Sequence, residues 1–103
     1  MDDENNSNYL NLLRKIKAKP NVSQRELAEE LGFSLGKLNY CLKELKKKGL
    51  IKFENFKKNK NKINYLYYLT PKGASTKTKL TINFMKTKMK EYEELKKELN
   101  EKK

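Results

Sequence analysis

Between Ser34 and Lys62 the sequence "SLGKLNYCLKELKKKGLIKFENFKKNKNK" gathers side chains able to bind and almost none able to catalyse. Residues 37 to 62 hold ten lysines against two acids, whereas residues 1 to 36 hold five basic residues against six acidic ones. Residues 72 to 90 add six lysines and no acid, and residues 91 to 103 return to four bases against five acids. The formal net charge of +12 is therefore a stripe and not a uniform background. Lysines that neutralise phosphates release condensed counterions, so a stripe of this kind on a folded domain is the footprint expected of a polyanion partner. A solvated, lysine-rich surface is the plainer alternative.

Catalysis has no candidates. The chain contains no histidine, which removes the commonest general base. No nucleophile stands with a base, no glycine loop could cradle a phosphate, and no spacing suits a metal. Neither enzyme activity nor a metal or cofactor is expected. The single cysteine, Cys41, excludes an intramolecular disulfide, and there is no His/Cys cluster to hold zinc. With 103 residues, 36% of them apolar and 37% charged, the chain has room for one small domain that must use an economical core or gain stability from a partner subunit. No apolar run approaches the roughly 20 residues that span a bilayer, and "MDDENNSN" is not a signal peptide, so a cytoplasmic protein without membrane contact is expected.

The elements that position these side chains follow from periodicity and punctuation. Tyr9, Leu10, Leu12, Leu13 and Ile16 recur at helical spacing and Pro20 ends the pattern, which predicts a first helix near 8–18 behind a flexible acidic leader at 1–7, capped by Ser7 or Asn8. "VSQREL" is a capping box in which Ser23 and Glu26 serve each other's amides and Val22 and Leu27 form a staple. The second helix ends at Gly32. Ser34 caps a third helix that runs to Lys48, where Gly49 stops it, with Leu38, Leu42 and Leu45 on one face and Cys41 beside them. Helices joined so tightly must cross steeply. Strands are expected over 50–54 and 63–69, with Ile51 and Phe53 sharing one face and Ile63, Tyr65, Tyr67 and Leu69 another, around a lysine- and asparagine-rich loop at 55–62. Thr70 and Pro71 open a last helix over about 74–100, its start delayed by Gly73. Ile82, Met85, Met89, Tyr92, Leu95 and Leu99 make a narrow stripe along it.

The arrangement resembles a winged helix-turn-helix, a mainly α (α+β) fold with a β-hairpin wing and, here, a long carboxy-terminal dimerisation helix. Ala28 stands where such motifs need a small residue, Gly32 at the turn and Leu38 in the angle between the helices. "LKELKKKGLIKFE", the lysine-rich loop and "YLYYLTPKG" are similar to the MarR family of bacterial transcription regulators, and "LGFSLGKLNYCLKELKKKGLIK" resembles a subgroup associated with exopolysaccharide gene clusters. The resemblance runs from about residue 9 to residue 97. It implies a sequence-specific, dimeric regulator of transcription, expected as a repressor, with a leader at 1–7, a DNA-binding domain at 8–73 and a dimerisation helix at 74–103. Typical members carry a further amino-terminal helix that shares in dimerisation and in a ligand pocket. The chain beginning at the helix before the motif argues against sensing of phenolic ligands and leaves the last helix as the main dimerisation element. The sequence names no small-molecule effector.

A helix fits the major groove with its amino-terminal half against base edges, so Ser34, Gly36, Lys37, Asn39, Tyr40 and Lys43 are the expected contacts. Asn39 suits adenine, Lys37 guanine or a phosphate, Tyr40 a phosphate or a thymine methyl, and Gly36 lets the backbone come close. Lys57, Lys58, Lys60 and Lys62 of the wing are expected on the phosphate backbone or in the adjacent minor groove. Cys41 is expected to pack at the core. Some MarR regulators use cysteine oxidation, but no second cysteine or histidine supports that use here. The apolar stripe from Ile82 to Leu99 is expected to pair two copies in antiparallel fashion, lysines of one near glutamates of the other. The alternative is a winged-helix module that binds protein or RNA.

Overall fold

The computed structural model describes residues 3–19, 22–59 and 62–101. Helices α1 (Asp3–Ala18), α2 (Gln24–Leu31) and α3 (Leu35–Lys47) precede a hairpin of β1 (Ile51–Asn59) and β2 (Lys62–Leu69), and α4 (Pro71–Glu101) closes the chain. The molecule is elongated, 68 × 26 × 21 Å, because α4 at about 1.5 Å per residue is far longer than the domain that precedes it.

The turn between α2 and α3 forms as its punctuation dictates. Ser23 Oγ accepts from the Glu26 amide at 3.1 Å, and at the other end Gly32 adopts the left-handed conformation (φ 70°). The Phe33 amide then donates back to the Ala28 carbonyl at 2.9 Å, which satisfies a helix-end carbonyl and turns the chain directly into α3. Ser34 Oγ restarts the helix by accepting from the Lys37 amide at 3.1 Å. Leu12, Leu13, Ile16, Leu27, Leu38 and Leu45 are fully buried where α1, α2 and α3 meet, and Ala28 is buried beside them. Lys19 Nζ donates to Glu30 at 2.8 Å across the exposed α1–α2 seam, and that hydrogen bond holds the Glu30 carboxyl below its ordinary range.

Three boundaries differ from expectation. α1 begins at Asp3 and not near Asn8, so residues 3–7 are not a flexible leader and neither Ser7 nor Asn8 is a cap. The row from Asn6 to Leu10 lies along α4, where Leu80, Asn83 and Phe84 line a shared cleft. The hairpin is also longer than its apolar pattern. Pairing continues from Ile51↔Leu69 to Asn59↔Lys62, with a register shift between Lys57 and Asn59.

The third difference is at Gly73. α4 starts at Pro71, its first turn fastened to the entry of the wing: Thr70 Oγ1 donates to the Gly49 carbonyl at 2.6 Å and accepts from the Gly73 amide at 2.9 Å, while the Thr70 amide donates to the Leu50 carbonyl at 3.0 Å. Gly73 is buried against that segment. Tertiary contact here overrides glycine's poor helix propensity. Replacing Thr70 by valine removes a cap and a cross-link together and is expected to cost about 1 to 2 kcal/mol in urea unfolding, with Thr70→Ser close to wild type.

Candidate nucleic-acid interface

Leu38, Cys41, Leu42 and Leu45 turn to the core. Ser34, Gly36, Lys37, Asn39, Tyr40 and Lys43 are all exposed on the rest of α3, as are Lys46 and Lys47. Burial of one face leaves the helix a polar outer surface, and two of its residues are further constrained. Ser34 uses its hydroxyl as the cap. Lys37 places its ammonium 4.3 Å from the centroid of the Phe33 ring, a cation–π contact that steadies it at the foot of the helix. At Gly36 an added Cβ would meet nothing of this chain within 4 Å, so the space above it is open to an approaching molecule.

Beside α3 lies the hairpin. Asn39, Lys43 and Lys46 line a cleft of about 170 Å³ whose other walls include Gln24, Phe53 and Tyr67. Gln24 Nε2 donates to the Tyr67 hydroxyl at 3.0 Å, tying the start of α2 to β2. Phe53 and Tyr67 pair across the strands with centroids 5.2 Å apart, and Lys46 lies 5.7 Å from the Phe53 ring. The hairpin is thus held at a defined distance from the outer face of α3. Lys57 and Lys58 fall in β1 and Lys62 in β2, not in a loop. Their side chains, and Lys60 altogether, lie outside the described residues.

Sequence reasoning missed Leu35, Phe33, Gln24 and Lys46. Leu35, the first residue of α3, belongs to neither the expected buried face nor the expected binding face, and it is 50% exposed. Lys46 and Lys43 are three apart, a signal that was available. Cys41 is buried, and burial pushes its thiol pKa up, with Lys37 opposing only in part. That is the opposite of what a reactive thiol needs. Among the described residues no group of three or more His, Cys, Asp or Glu could hold a metal, and no helix is long and apolar enough to cross a membrane.

Every described residue from 82 to 101 of α4 is exposed, although Asn83, Phe84, Lys88 and Glu91 border the cleft beside α1. Ile82, Met85, Met89, Tyr92, Leu95 and Leu99 all stand in solvent there, with Leu99 66% exposed. Phe84, absent from the expected stripe, is also exposed and borders the α1–α4 cleft.

Two helices crossing at a glycine turn, a third helix beneath them and a hairpin at the open face of α3 define a winged helix-turn-helix protein, and residues 9–52 match the winged helix-turn-helix DNA-binding family. The fold is shared with solved transcription regulators, among them MarR family members. PcaV, a transcriptional regulator of Streptomyces coelicolor, superposes with a TM-score of 0.68 at 20% identity over 78% of this chain and 57% of that one. The zinc-responsive MarR family member ZitR of Lactococcus lactis gives 0.64 at 24% identity over 86% and 59%. Streptococcus pneumoniae FabT, solved in complex with DNA, gives 0.61 at 22% identity over 84% and 58%. The chain thus spans less than two thirds of the length of these three regulators. No curated protein sequence matches it significantly.

Proposed function

We propose that the protein is a sequence-specific, double-stranded DNA-binding transcription regulator that acts as a homodimer, with α3 in the major groove and the hairpin along the flanking backbone or minor groove. The exposed row of Asn39, Tyr40 and Lys43 beside the hairpin carries this reading. Asparagine can accept from and donate to one adenine edge at once, whereas lysine neutralises phosphate or reaches guanine without a planar fork. Tyr40 meets a phosphate or a thymine methyl. Lys57, Lys58, Lys60 and Lys62 supply affinity and little sequence information. The fold shared with FabT, which was solved with DNA, supports DNA as the partner.

Pairing of α4 with a second copy supplies the twofold symmetry that a palindromic site requires. Lysines 77, 79, 86, 88 and 90 precede glutamates 91, 93, 94, 98 and 101 along the helix, so antiparallel copies set opposite charges side by side. Such a dimer acts in the cytoplasm, as a repressor when its site overlaps a promoter, and needs no chemistry of its own. A protein- or RNA-binding module is the weaker reading, since that role asks for an apolar patch on α3, and the exposed face of this helix is mostly polar and basic.

Selection from random duplexes is expected to enrich a palindrome, and binding is expected to weaken steeply with salt. Asn39→Ala or Lys37→Ala should cost about 1 to 3 kcal/mol at the selected site, while Lys58→Ala should weaken all sequences about equally and lower the salt slope by about one. Salt-insensitive binding, or unchanged affinity in the α3 variants, would overturn the reading.

A further inference from the structure

We infer that Leu35 is a specificity-determining residue that reads the C5 methyl group of a thymine close to the base pair met by Asn39. The inference rests on the DNA-binding reading above and adds a contact to it. Leu35 is the first residue of α3 and half exposed, at 50%. It belongs neither to the buried core nor to the partly buried residues packed against it. Its neighbours leave it unobstructed on the approach side. Ser34 turns its hydroxyl back to the Lys37 amide, Gly36 has no side chain and open space above it, and Lys37 is drawn over the Phe33 ring.

Leu35 and Asn39 lie one helical turn apart, on the same side of α3. Side chains at that spacing sit about 5 to 6 Å apart, which is between one and two base-pair steps of about 3.4 Å. In the major groove the thymine methyl is the apolar feature that a leucine can cover, and no other unmodified base edge presents one there. An aliphatic side chain beside an amide therefore selects a thymine neighbouring an adenine. Burial of one methyl group against leucine predicts about a fourfold preference for thymine over uracil at that position.

The test replaces each thymine of the selected duplex, one at a time, by deoxyuridine, which removes the methyl and keeps the Watson–Crick pair. Wild type is expected to lose about fourfold in affinity at one thymine per half-site and little elsewhere. Leu35→Ala should bind the thymine duplex as weakly as wild type binds the uracil one, show no difference between the two, and melt at the wild-type temperature because the side chain is exposed. A flat uracil scan in wild type, or a Leu35→Ala variant that still prefers thymine, overturns the inference while leaving sequence-specific binding intact. Failure to enrich any sequence from random duplexes overturns both.

Discussion

Gly73→Ala should destabilise the protein by about 2 to 4 kcal/mol, a fall of roughly 10 to 25 °C in melting temperature, although alanine is the better helix former by about 1 kcal/mol. The new Cβ would run into the carbonyl oxygen and carbon of Leu50. These are backbone atoms at the entry of the wing, and that oxygen already accepts from the Thr70 amide. Backbone cannot rotate aside as a flexible side chain can, so the first turn of α4 must lift away, and the hydrogen bonds of Thr70 to Gly49 and Leu50 weaken with it. The sign decides between two causes. Helix propensity alone predicts a gain, whereas close approach of α4 to the wing predicts a loss. Thermal melting of wild type and variant at equal concentration reads the difference, and a stabilised variant would show that α4 stands off from the domain.

Met89→Glu is expected to turn a dimer into a monomer and to lower affinity for a palindromic duplex at least about a hundredfold, with half-site affinity unchanged. Seven large apolar side chains from Ile82 to Leu99 are exposed along α4, and antiparallel pairing that sets the lysines before residue 91 against the glutamates after it crosses near Met89. There the two copies of residue 89 approach each other. A pair of carboxylates at that point would be desolvated without partners and would repel, a cost that such a contact cannot absorb. Sedimentation at micromolar concentration checks the first effect and titration of full and half sites the second. Met89→Leu should stay dimeric, which separates charge from packing. A Met89→Glu variant that remains a dimer would place the interface elsewhere.

Much of the helix-turn-helix is legible from local chemistry. Ser23, Gly32, Ser34 and Gly49 act on amides and carbonyls within a few residues of themselves, so their effect does not wait on the rest of the chain, and the spacing of Leu38, Leu42 and Leu45 already says which face of α3 is buried. That in turn exposes Asn39, Tyr40 and Lys43. Less legible are features whose partner is remote in sequence. The polar start of α1 becomes helix because it lies along α4, and lysine-rich strands pair well beyond their apolar cores. Leu35 shares the helical face of Leu42 and differs in standing at the very start of α3, where its exposure depends on packing that periodicity within one short helix does not resolve.

The types of side chain on the binding face, the charge stripe and the helix breaks were thus set by composition and nearest neighbours alone. The distance between α3 and the hairpin, the close seat of Gly73 on Leu50 and the exposure of Leu35 were settled by packing. Each of these depends on which surfaces meet across dozens of residues, and excluded volume between them exists only once the chain has folded.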